Sequence, residues 1–174
     1  MNPWSMNIIA RTACLLLGAA LSLGAQAGEK LYLQTPAAYD KGAAVNDKIK
    51  KECNIEVHVP NYIKAGAKDK FSEIVSATKL DKTDGQSLSL MITNVTGVGG
   101  GAWSGPKGIS IQGTLKSKGK VIGTFQARRT SSGGAWGGYK STCSILERSA
   151  KALGKDVAAW LEKPTMNAAL GELR

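Results

Sequence analysis

The sequence predicts an α+β fold, a two-layer sandwich in which two long helices pack on one face of a mostly antiparallel sheet in the order β-α-β-β-β-α. Three observations carry that prediction. Residues 87–129 hold three strand-like segments joined by turns, which reads as an antiparallel meander. Residues 36–52 and 139–161 each carry an apolar stripe at spacings of three and four. Two cysteines, Cys53 and Cys143, fall where a pair of antiparallel helices would bring their ends together.

The elements follow in chain order. Leu31-Tyr32-Leu33-Gln34 is a short apolar run and reads as a first strand. Thr35-Pro36 offers an N-cap followed by proline at the first helical position. Ala38, Gly42, Val45, Ile49 and Cys53 then mark one face of a helix running to about Glu52, with Lys41, Lys48, Lys50 and Lys51 on the other side. Ile55, Val57 and Val59 alternate with Glu56 and His58, which suggests a strand or an extended exit from the helix, ended by Pro60-Asn61. Phe71 to Leu80 is a further strand candidate.

Ser87 to Val95 reads as a strand, and Gly108 to Lys116 places Ile109, Ile111, Gly113 and Leu115 on one side. Ser117-Lys118-Gly119-Lys120 is a hairpin turn leading into a strand from Val121 to Arg129. Leu146, Ala150, Leu153, Val157, Trp160 and Leu161 form the stripe of the second long helix, from Tyr139 to Leu161, with Pro164 just beyond it. Residues 165–174 read as a flexible tail, and residues 28–164 as one domain.

Residues 1–27 resemble a cleavable export leader. Arg11 supplies the positive charge, an apolar run extends from Ala13 to Leu23, and Ala25-Gln26-Ala27 precedes Gly28 as a small-x-small cleavage site. Met6 is an alternative start. Cys14 precedes the apolar run, whereas a lipid-attachment cysteine would follow it, so it reads as a leader residue. The run is shorter than the roughly 20 residues that span a bilayer, and no transmembrane segment is expected in the processed chain. The expected location is the periplasm or beyond. In such a compartment a Cys53–Cys143 disulfide is the default.

The formal charge is +10, of which Arg11 in the leader contributes one. A basic exported domain tends to meet anionic envelope components or other envelope proteins. Nucleic acid is not expected as the partner.

Two segments resemble each other: Gly99-Gly100-Gly101-Ala102-Trp103-Ser104-Gly105 and Gly133-Gly134-Ala135-Trp136-Gly137-Gly138. Each follows a strand of the meander, and one antiparallel strand lies between those two, so both loops should emerge at the same end of the sheet. Their glycines let a backbone approach a ligand closely, and each tryptophan offers a flat apolar face. Lys107, Arg128, Arg129 and Lys140 lie near by in sequence. Trp103, Trp136 and these four cations are the candidate binding residues.

Catalytic and metal chemistry find little support. His58 is the only histidine, no Gly-x-Ser-x-Gly elbow exists, and no metal-ligand spacing is visible. Gly105-Pro106-Lys107-Gly108 lacks the ending of a nucleotide-binding phosphate loop. No catalytic residue, metal site or cofactor is therefore assigned. An enzyme would need Asp81, Asp84 or Glu147 to converge with His58 in a cleft.

The block Gly99 to Gly108, the run Gly133 through Tyr139-Lys140-Ser141-Thr142-Cys143-Ser144-Ile145-Leu146, and the segment Gly154 to Leu161 together resemble a family of uncharacterised exported bacterial proteins. The resemblance covers most of the chain after the leader and implies no activity. The order of elements is also similar to the α/β domain of the curli-secretion lipoprotein and to the amino-terminal domain of the Tol system's periplasmic protein, which implies work through protein contacts in an envelope assembly.

The reading that follows is an exported, non-enzymatic binding or accessory protein using a Gly/Trp-rich basic loop surface. The alternative is a structural or interaction protein with its tryptophans buried. An unidentified hydrolase is the third. Exposure of the two indoles discriminates the first from the second.

Overall fold

A computed structural model describes residues 28–81, 84–97, 101–134 and 136–174. Residues 1–27 with Cys14, and Gly99, Gly100 and Ala135 of the two glycine loops, lie outside the described residues.

Seven strands form one sheet: β1 (Lys30–Gln34), β2 (Ala38–Ala44), β3 (Glu73–Ala77), β4 (Gln86–Thr96), β5 (Lys107–Ser117), β6 (Lys120–Ser131) and β7 (Ala168–Gly171). Three helices accompany them: α1 (Asp47–Cys53), α2 (Ile55–Ala67) and α3 (Thr142–Trp160). The sheet order is β3-β1-β4-β5-β6-β7, with β2 following β1 along the same side of β4. The α+β class and the helices on one face hold, but the sheet is mixed. β4, β5 and β6 form the antiparallel meander, while β1, β2, β3 and β7 all pair in parallel.

The meander forms because its residues alternate. Leu88, Leu90 and Ile92 of β4, Ile109, Ile111 and Leu115 of β5, and Phe125 and Ala127 of β6 are buried on one side. α3 covers β5 and β6, and α2 lies beside it. Leu146, Ala150, Leu153, Val157, Trp160 and Leu161 are all buried, as the stripe predicts. Phe125 meets the Trp160 ring edge-on, with centroids 4.9 Å apart. Ser141 caps α3 by accepting from the Ser144 N–H, so the helix begins at Thr142 rather than Tyr139.

Three expectations fail, each for a reason outside the local sequence. No helix starts at Pro36. Ala38–Ala44 instead pairs with β4, and the helix begins only after Asn46, whose side chain accepts from the Lys48 N–H. Of the expected stripe, Ile49 and Cys53 alone are buried on that short helix. An unpaired flank on β4 outweighs a helix with Gly42 in its middle, where glycine costs about 1 kcal/mol. Gln34 bridges the junction of β1 and β2, its Oε1 accepting from the Leu90 N–H of β4 at 3.0 Å. Tyr39 of β2 donates to Glu56 Oε2 at 2.9 Å, and burial together with that bond pushes its phenol well above the ordinary tyrosine range.

Residues 55–59 are helical, not extended. Pro60 lies inside α2 rather than ending it. Proline removes the N–H that would bond the carbonyl four residues earlier. That carbonyl belongs to Glu56, and it accepts from the Ala37 N–H at 2.8 Å. The segment entering β2 thus supplies the missing donor. Ile55, Val59, Pro60, Ile63 and Ala67 make the buried face.

The expected flexible tail is not loose at its centre: β7 pairs in parallel with Phe125–Arg128 of β6. A single parallel strand of four residues carries no alternation strong enough to read from sequence.

α2 and α3 pack unusually closely. A methyl group on Gly154 would lie 2.5 Å from Tyr62 Cβ and 2.7 Å from its carbonyl carbon, and one on Gly66 would lie 2.9 Å from Ala158 Cβ. The bridge Cys53–Cys143, with Cα atoms 4.9 Å apart and 90 residues of separation, ties the end of α1 to the start of α3.

Two stability changes are expected. Gly154→Ala should cost about 1–3 kcal/mol in urea unfolding, the range of overpacked contacts, and a neutral result would mean the helices can separate freely. The Cys53→Ala/Cys143→Ala double variant should lose about 4–5 kcal/mol, as closure of so long a loop implies. A loss under about 1 kcal/mol would show that the bridge does not constrain the unfolded chain.

Candidate functional site

β4 and β6 end on the same side of the sheet because β5 runs between them in the opposite direction. Each is followed by a 3-10 turn, Gly101–Ser104 after β4 and Gly137–Tyr139 after β6, and the two turns touch. Gly138 makes the contact possible. A methyl group there would come within 2.8 Å of the Trp103 indole nitrogen, so only glycine lets that ring lie along the second turn.

Three aromatic side chains stand out from this end. Trp103 is 82% exposed, Trp136 79% and Tyr139 84%. The Trp136 and Tyr139 rings are tilted against each other with centroids 6.4 Å apart. This excludes the arrangement with buried tryptophans. Trp160, by contrast, is 5% exposed and belongs to the core. Tyr139 was not among the expected site residues; its place immediately after the second glycine loop is the signal that could have found it.

Trp136 also has φ 62° and ψ 22°, the left-handed region. A side chain with a Cβ pays about 1–2 kcal/mol there. The fold holds a bulky residue in a costly conformation and leaves its ring in solvent.

The four expected cations do not gather around these rings. Lys107 is fully buried. Its methylenes lie along Gly97, and its Nζ donates to Ser104 Oγ at 2.8 Å. It anchors the turn that carries Trp103 from beneath and is not a surface contact. Arg129 faces α3 and forms a bidentate pair with Asp156, Nε to Oδ2 at 2.7 Å and Nη2 to Oδ1 at 2.8 Å. That bond holds its guanidinium above the ordinary arginine range. Arg128, one residue earlier on β6, is exposed on the opposite face of the sheet. Lys140 does adjoin the aromatic end, where its Nζ donates to the Gly133 carbonyl at 2.9 Å and closes the second loop on itself.

The residues that an enzymatic site would need fall in more than one place, Asp84 beside Tyr32 and both Glu147 and His58 beside Tyr62. Asp84 accepts from the Tyr32 hydroxyl at 2.9 Å. Glu147 accepts from the Tyr62 hydroxyl at 2.6 Å, which raises the Tyr62 pKa. His58 stacks against the same Tyr62, with centroids 6.4 Å apart. Asp81 is exposed. Among the described residues no group of three or more His, Cys, Asp or Glu side chains is disposed to hold a metal ion, and no helix is long and apolar enough to cross a membrane.

Fold and site define a small α+β domain with an aromatic end. No protein-family model and no curated protein matches the chain. Among solved structures it is similar to PelC of Paraburkholderia phytofirmans, crystallised as a dodecamer, with 16% identity over 74% of this chain and 87% of that one and a TM-score of 0.45. It is also similar to an uncharacterized protein, with 13% identity over 76% and 92% of the two chains and a TM-score of 0.49. A Xanthomonas campestris protein of the DUF330 family model shows 10% identity over 79% and 86%, with a TM-score of 0.40.

Trp136→Gly tests the strain directly. It should leave the melting temperature unchanged or raise it, by up to about 1–2 kcal/mol of stability, because glycine adopts this conformation without cost. A loss of about 3 kcal/mol or more, the cost of truncating a core tryptophan, would mean that the indole supports the fold.

Proposed function

We propose that the chain is an exported, non-enzymatic binding protein that engages an anionic envelope component or an envelope protein through the surface formed by Trp103, Trp136 and Tyr139. The observation that carries this reading is the exposure of three neighbouring aromatic rings at one end of a rigid sheet. Water-exposed aromatic surface brings nothing to folding, and contiguous patches of it are characteristic of contact sites. Tryptophan and tyrosine give much contact area for little loss of side-chain freedom, which is why they dominate binding hot spots. The turns that carry them are fixed by Lys107 from below and by Lys140 at the side. The leader-like start and the Cys53–Cys143 bridge support an oxidising compartment outside the cytoplasm.

Fluorescence with iodide quenching tests this reading, because Trp160 serves as a buried internal reference. Processed protein is titrated with lipopolysaccharide, peptidoglycan fragments, anionic lipid and envelope protein extract in turn. One of these should protect Trp103 and Trp136 from iodide. Trp103→Ala/Trp136→Ala should weaken that binding by about 30-fold or more, as loss of a hot-spot residue does, without lowering the melting temperature. Unchanged binding by the double variant would remove the aromatic end from the function.

A further inference from the structure

α3 carries five charged residues, Glu147, Arg148, Lys151, Lys155 and Asp156. Both acids are turned away from the cations of their own helix. Glu147 stands four residues before Lys151, in place for a helical ion pair, but its carboxylate accepts from the Tyr62 hydroxyl of α2. Asp156 is gripped by two of the guanidinium nitrogens of Arg129, Nε and Nη2. Arg148, Lys151 and Lys155 are left in a row at spacings of three and four, all exposed, and none has a carboxylate partner among the described residues. Like charges at that spacing oppose the helix by a few tenths of a kcal/mol per pair.

The row forms one wall of an open cleft of about 480 Å³, completed by Ala152 and by Thr130 and Ser131 at the end of β6. Beside it, the Glu172 carboxylate accepts from both the N–H (2.7 Å) and the hydroxyl (2.9 Å) of Thr130, so those two donors are taken and an anionic ligand would be held by the α3 cations alone. The upper end of the row meets the second glycine loop: a methyl group on Gly134 would lie 3.1 Å from Arg148 Nη2.

We infer that this cleft binds a ligand carrying two or more phosphate groups. The row spans about 10 Å along the helix axis, which suits phosphates on neighbouring positions of a sugar or along a phosphate chain. Arginine grips a phosphate in a planar fork, and the two lysines supply point charges for the rest. The site does not depend on the aromatic end being a binding surface.

Isothermal titration of the processed protein with inorganic tripolyphosphate tests it, with citrate as a carboxylate control. Tripolyphosphate should bind at least about tenfold more tightly than citrate. Arg148→Gln/Lys151→Gln/Lys155→Gln should lose at least about tenfold in affinity, the equivalent of one charge-assisted contact, while melting at the native temperature. Lys116→Gln/Lys118→Gln/Lys120→Gln, at the β5–β6 hairpin, should bind as the native chain does. Equal weakening by both triple variants would reduce the effect to net charge and overturn the site. So would the absence of tripolyphosphate binding, and citrate binding as tightly would overturn the phosphate assignment. Cardiolipin vesicles, whose headgroup carries two phosphates, then identify the source. Vesicles that displace tripolyphosphate, and lose that ability with the α3 variant, assign the cleft to lipid headgroups; vesicles that do not displace it assign the cleft to a soluble phosphate ester.

Discussion

The close crossing of α2 and α3 is the contact on which the other features depend. Gly154 leaves no side chain between α3 and the Tyr62 backbone, and Gly66 does the same opposite Ala158. At that separation the Tyr62 hydroxyl reaches Glu147, and the acid is removed from the outer surface of its own helix. The same approach seats the α3 stripe over Phe125 and Ala127. It also brings the start of α3 to Cys53 at the end of α1. Packing in the interior thereby decides the charge pattern on the outside: with one acid drawn to Tyr62 and the other to Arg129, the exposed face of α3 is cationic.

What the sequence makes legible, and what it does not, divides along the range of the interactions. The β4–β5–β6 meander and α3 depend on alternation and on an i, i+3, i+4 stripe, patterns complete within a few residues, and both form where the residues predict. The pairing of Cys53 with Cys143 is legible because only two cysteines lie beyond residue 27. The segment 36–67 is misread because its conformation rests on distant partners. Pro60 reads as a terminator until the Ala37 N–H is known to reach the Glu56 carbonyl. Residues 38–44 read as helix until β4 is known to have an open flank.

The site shows the same division. That the two glycine loops share an end of the sheet follows from strand direction alone, so sequence suffices for it. Whether a tryptophan in such a loop points in or out depends on what fills the space beneath. Here that space is taken by Lys107, a residue whose composition argues for the surface and whose aliphatic stem suits the interior. Arg129 is likewise absorbed by Asp156. The row of Arg148, Lys151 and Lys155 is visible as a spacing, but such a row is usually a solvated face. Only the diversion of Glu147 and Asp156 sets it apart.

The span of the covalent bridge has a consequence for the order of events during biogenesis. Cys53 and Cys143 enclose α2, the whole of β3 to β6 and the turn bearing Trp136. A chain emerging amino-terminus first exposes Cys53 long before its partner exists outside the ribosome. The edge strand β7 appears later still. Until residue 143 is released, Cys53 is an unpaired thiol within reach of other emerging chains. The 90 residues between the two cysteines therefore set an interval during synthesis in which the first thiol waits for the second.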